Sequence, residues 1–206
     1  MKRFRLVCCA ILLIIMAVSS AEAAQKRTMQ PIAPLMIEHR LVDRMIVVID
    51  TERARMDRDK TVDPSFVDTI IDFIVTYVDK THHAKEEKIL FTAVATKNIT
   101  AEQKKIMDEL IGEHRTAITI VDRLIDAKHR YEKGEQTAIQ DINTALGEIT
   151  TLYRKHVITE DKHFFLPVMT YFSKEEKDAM LQQMWDYDRT MIHVKYRDVI
   201  KNLETK

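Results

Sequence analysis

"HHAKEEKILF", residues 82–91, is the stretch whose reading decides the fold. It opens on two histidines, places two glutamates four positions on and ends in apolar residues. On a helix, residues four apart lie on one face, so His82 sits above Glu86 and His83 above Glu87. Ile71, Val75, Val78, Ile89 and Ala93 recur at three- and four-residue steps, and His82 and Glu86 fill the missing steps of that apolar stripe. The stripe through His83 and Glu87 instead includes Thr76, Asp79 and Lys80, which predicts that this second pair faces solvent.

The same form returns at "HVITEDKHFF", residues 156–165: His, three residues, Glu, a second acid, Lys, then apolar residues. Its upstream stripe is Ile142, Ala145, Ile149 and Leu152, and it continues through His156 and Glu160, while Asp161 falls with Thr150 and Arg154 on a polar side. Met107, Leu110, Ala117, Val121 and Leu124 bracket His114, and Leu35, Val42, Ile46 and Ile49 bracket His39. Each of four helices thus carries a histidine on its buried face.

Caps set the helix limits. Pro31 and Pro34 precede a first helix over about Leu35–Asp57. Asp63 is a good N-cap and Pro64 a good first residue for a second, which runs to about Ala95 or Lys97. Thr100-Ala-Glu-Gln103 is a capping box for a third, which Gly134 ends. A fourth runs from about Gln136 to Phe165 and meets Pro167. Ser173-Lys-Glu-Glu176 opens a fifth, to about Leu203. The expected architecture is all-α: an antiparallel four-helix bundle over residues 31–172 with an additional C-terminal helix, 173–206, packed on it.

Composition agrees. The chain has 206 residues, 46 % of them apolar, and only three Gly and four Pro, which favours long helices. Lys+Arg equals Asp+Glu, so nothing supports a nucleic-acid partner. Residues 1–24 read as a secretory signal peptide, with basic "MKRFR", an apolar run and Ala21-Glu22-Ala23 as the small-x-small site; the alternative is an uncleaved membrane anchor. The expected location is therefore outside the cytoplasm, in the periplasm, with no membrane contact after cleavage. Both cysteines, Cys8 and Cys9, lie in that segment, so the working domain has no thiolate ligand, disulfide or thiol nucleophile.

Imidazoles and carboxylates buried at one depth cost roughly several kcal/mol each unless a charge offsets them. Metal dications do so directly. The candidate ligands are His39, His82, Glu86, His114, His156 and Glu160, two similar sets of three. Imidazole with carboxylate and no thiolate suits iron, manganese or zinc, and two central carboxylates suit a dinuclear site. His163 continues the fourth stripe and is a candidate outer donor to the site. His83, His129 and His193 read as surface or packing residues, and Tyr77 and Tyr153 as neighbours able to hydrogen-bond the site.

"EHR" at 38–40, "HHAKEEKILF" at 82–91, "GEHR" at 112–115 and "HVITEDKHFFLPVM" at 156–169 resemble the hemerythrin-like, or HHE cation-binding, family. The resemblance implies a bundle around two non-haem iron ions bridged by two carboxylates, with dioxygen, nitric oxide or peroxide as ligand. Metal- and small-molecule binding is expected ahead of catalysis; the alternatives are an oxidase or peroxidase, a metal-centre repair protein of the same family, and a helical interaction protein whose histidines only pack. The oxygen-carrying members have a His-x-x-x-His pair on the third helix, where this chain has Ile118 after His114. That leaves four histidines and two carboxylates, closer to the repair and stress-response members. The family's His-x4-Asp spacing also fits His156 and Asp161; the stripe favours Glu160 as the sixth ligand, with Asp161 as the alternative.

Overall fold

In the computed structural model the described residues are 29–204, with side chains described to 191 and at 195. The expected signal segment and the side chain of His193 lie outside them. The described chain is all-α. Helix α1 is Ala33–Asp59. The rod α2, residues 64–95, joins Pro64–Asp72, two π-helical stretches at Phe73–His83 and Glu86–Phe91, and Thr92–Ala95. Helix α3 is Ala101–Glu132. The rod α4, residues 138–168, joins Ala138–Thr159, a π-helical Glu160–Phe164 and Phe165–Val168. Helix α5 is Lys174–Glu204.

The expected caps form. Asp63 accepts from the backbone N–H groups of Ser65 and Phe66, and Thr100 with Gln103 closes a reciprocal capping box. Ser173 and Glu176 make the same exchange at the start of α5. Helix α1 packs on α2 and α4, and α3 packs on α2 and α4, so four rods close an antiparallel ring, with α5 lying along α2. Among the described residues no helix is long and apolar enough to cross a membrane.

The core comes in two clusters. One contains Val42, Ile46, Val78, Ala117, Val121, Ile149 and Tyr153, and the other Leu35, Leu90, Phe91, Leu110, Phe164 and Phe165. Between them in sequence, on each of the four rods, falls a histidine at the same level.

Along α2 the structure departs from the expected stripe. The sealed positions are Ile70, Ile74, Val78, His82, Glu86, Leu90 and Val94, a strict step of four; Ile71, Val75, Ile89 and Ala93 are only half-buried. In a regular α-helix a step of four advances by about 40° beyond a full turn, so such a ladder would wind off the core face. The wider i→i+5 turns of the two π stretches unwind that drift and hold all seven residues inward. One consequence is a correction. His83, expected at the surface, is buried at 3 % exposure, because the widened turn brings both histidines of the doublet toward the axis.

Candidate metal centre

The six expected residues converge, and His83 joins them. His39, His82, Glu86 and Glu160 place one donor atom each within 4.8 Å of one another, and so do His83, Glu86, His114 and His156. Glu86 belongs to both groups. One of its oxygens lies 3.2 Å from His82 Nε2 and the other 3.5 Å from His114 Nε2. Glu160 spans the same gap from the opposite rod, 3.1 Å from His39 Nε2 and 3.3 Å from His156 Nε2. Each carboxylate therefore reaches from one histidine group to the other.

Four of the imidazoles are oriented from behind by acids. Nδ1–H of His39 donates to Asp161 (2.8 Å), that of His82 to Glu38 (2.8 Å), that of His114 to Glu87 (2.7 Å) and that of His156 to Glu113 (2.9 Å). With the proton on Nδ1, the Nε2 lone pair points inward, which is the tautomer a metal requires. The pattern repeats by halves. The Glu of each "EHR" holds the histidine of the rod that follows, and the second acid of each doublet holds the histidine of an "EHR". Phe91 and Phe165, the last residues of the two repeated stretches, stack on His114 and His39 with ring centroids 6.1 and 5.7 Å apart. Asp161 is thus an outer partner, and Glu160, with no exposure at all, points inward.

His83 is different. Its ring stacks on His114 at 3.8 Å between centroids, and its Nδ1 has no protein partner. The corresponding residue of the fourth rod is Val157, so the two halves carry unequal numbers of histidines. A surface cavity of about 450 Å³, lined by His83, Ala84, Glu87, Tyr187 and Met191 among others, lies against this group. Tyr153 packs edge-on to His83, 6.2 Å between centroids, and its buried hydroxyl also lacks a protein partner. Tyr77 is half-buried, and His129 and His163 are exposed, so His163 is not placed as an outer donor.

The charges at the centre ask for cations. All four oxygens of Glu86 and Glu160 are buried and accept no hydrogen bond. Two Nε2 atoms face each other at 3.0 Å (His39 and His82) and two at 3.2 Å (His114 and His156), a contact that needs a proton or a metal between the lone pairs. Burial pushes the His82 imidazole down, but the charge of Glu86 and the bond to Glu38 outweigh it and lift it to about 10. His156 is likewise pushed down by burial and lifted to about 10 by Glu160 and Glu113. Burial raises the Glu160 carboxyl, yet His156 and His39 hold it well below the usual range. The His83 imidazole is held well below its ordinary range, first by burial and then by its histidine neighbours. Each facing pair leaves between its lone pairs a place that either a proton or a dication can fill, and the donor set of imidazole and carboxylate fits such an ion.

Sequence reasoning missed His83, Glu38 and Glu113. The signal for His83 was the doublet itself, with no α-helical stripe to support it. For Glu38 and Glu113 it was the repeated "EH" dipeptide, whose acid serves a histidine on another rod.

The family model described as Hemerythrin HHE cation binding domain matches residues 30–168. Comparison with curated proteins and with solved structures returned no match.

Proposed function

Because the chain belongs to the hemerythrin HHE cation-binding family, we propose that it is a dinuclear non-haem iron protein that binds dioxygen or a related small molecule such as nitric oxide or peroxide. The observation that carries this reading is the pair of sealed carboxylates, Glu86 and Glu160, whose four oxygens accept no hydrogen bond and lie between two histidine groups. His39 and His82 would hold one ion and His83, His114 and His156 the other, with both carboxylates shared. Bound ferrous iron supplies electrons and an open coordination position to a diatomic ligand. Counting one oxygen from each carboxylate, the first group offers four protein donors and the second five. With one histidine fewer, the first group would leave an ion more room for an exogenous ligand.

The residues around the donors govern what that ligand meets. Asp161, Glu38, Glu87 and Glu113 keep the imidazoles aimed inward and raise their basicity. Phe91, Phe164 and Phe165 keep bulk water from one side, and Val78 and Tyr153 from the other. A dry apolar shell favours a small neutral molecule over water and slows irreversible oxidation. We place the protein outside the cytoplasm on the pattern of residues 1–24, and N-terminal sequencing of the exported form, beginning just after Ala23 or Ala24, is the check.

The decisive test is iron content together with a difference spectrum. Anaerobically loaded ferrous protein should hold two irons per chain and gain a ligand-to-metal charge-transfer band on exposure to oxygen or nitric oxide. A spectrum indifferent to both gases would remove the small-molecule reading. Metal far below stoichiometry after anaerobic loading would remove the metal reading as well.

A further inference from the structure

Among the largest described side chains with no exposure at all is a lysine, Lys85. A sealed ammonium is strongly unfavourable unless anions meet it. Lys85 Nζ donates to Glu38 Oε1 and, at 2.6 Å, to Asp188 Oδ1. The other oxygen of Glu38 accepts from His82 Nδ1. An unbroken line, Asp188–Lys85–Glu38–His82, therefore joins α5 to the first histidine group. Helix α5 lies wholly outside the segment 30–168 that the family shares.

The bundle does not require this line. In the other half the matching acid, Glu113, is met by Lys155 at 2.8 Å, a side chain 75 % exposed, and Thr159 stands where Lys85 would be. Of the two lysines that meet the matching acids, only Lys85 is sealed in the interior, and it reaches outward to the added helix.

We propose that α5 is a working part of the metal centre: Asp188 holds Lys85, Lys85 fixes Glu38, and Glu38 sets the orientation of His82, so that cation loading at His39 and His82 and docking of α5 are linked. The proposal rests on the metal reading above. Linkage is reciprocal, so a loaded centre tightens α5 by the same factor by which a docked α5 tightens the ion. Lys85 and Asp188 are positioning residues; neither touches the ion. Outer-shell changes of this kind typically cost about 10- to 100-fold in metal affinity, and Asp188, one step further out, is expected near the lower end.

The test uses the full chain, metal-free and loaded anaerobically with ferrous iron, followed by hydrogen exchange. Loading should slow exchange of α5 amides by about tenfold beyond any slowing in α3. In Asp188→Asn that extra slowing should vanish, and affinity for one of the two ions should fall about tenfold. Asp188 is 35 % exposed, so the variant should fold. Lys195→Met is the control. It removes the bond of Lys195 to Asp72 (2.7 Å), which loosens α5 away from the centre and should change neither the metal dependence nor the affinity. The proposal is overturned if α5 exchanges alike with and without metal, or if Asp188→Asn behaves as Lys195→Met does. Two bound ions with an indifferent α5 sink this proposal alone; absence of stoichiometric metal sinks the metal reading with it.

Discussion

Metal affinity should climb with pH well beyond the range in which ordinary histidines titrate. His82 and His156 are pushed up to about 10, one in each facing Nε2 pair. At pH 7 both therefore carry a proton in the metal-free protein, so each entering ion must expel one. Apparent affinity then rises about tenfold per pH unit per ion. Between pH 7.0 and 8.5 that is about 30-fold, or about 2 kcal/mol, for each ion. Imidazoles with the ordinary value near 6.5 would be mostly neutral by about pH 7.5 and give an almost flat profile above it. The assay is anaerobic titration with ferrous or manganous ion against a competing chelator, repeated calorimetrically in buffers of differing ionisation enthalpy. Folding stability of the metal-free protein should run the other way. A raised folded-state value contributes stability that is complete below about pH 6.5 and is lost as pH climbs through about 10. Chelated protein should therefore weaken from pH 7 to 10. An affinity that moves less than about threefold over the interval, with no proton released to the buffer, would refute the argument that protons hold the places of the cations.

Four further outcomes follow from the geometry. His83→Ala should lower affinity for one ion by about 10- to 100-fold while His163→Ala leaves both unchanged; equal behaviour of the two variants in a metal titration would return His83 to a packing role. Glu113→Gln, which removes the acid behind His156, should cost a similar factor and shift any charge-transfer band, and an unaltered spectrum and affinity would count against it. Tyr153→Phe deletes a buried hydroxyl with no protein partner and should leave stability unchanged or raise it by about 1 kcal/mol, seen as about 2–4 °C in Tm; a fall of that size would mean the hydroxyl has a partner such as a buried water. A chelator should lower the melting temperature of loaded protein, since ion at 100 times its Kd adds about 2.7 kcal/mol per site, and an unmoved transition would argue against stoichiometric loading.

Much of the fold was legible because α1, α3 and the start of α4 keep ordinary helical pitch. There Leu35, Val42, Ile46 and Ile49, and likewise Leu110, Ala117, Val121 and Leu124, point where a 3.6-residue period sends them. The same reasoning brought out His39, His114, His156 and Glu160. It lost its register on α2, where π turns replace α turns. No residue type announces such turns. The visible trace was a seven-membered ladder of step four from Ile70 to Val94, which a fixed 100° rotation scatters around the helix. The outer acids were hidden for another reason. Glu38 serves a histidine 44 residues away and Glu113 one 43 residues away, and such pairings are set by how rods pack, not by spacing along one of them. Lys85 stands in a run of charges on a single rod, and its burial is explained by two anions from other helices, Glu38 of α1 and Asp188 of α5.

The histidine doublet on α2 has one more consequence. Neighbours on a single backbone, held about 3.8 Å apart at their Cα atoms, supply donors to different halves of the site. That peptide acts as a gauge block between the halves: an ion too large for one would lever the other out of shape. Mixed occupancy by ions of unequal radius should therefore be disfavoured, and the centre should fill with matched pairs.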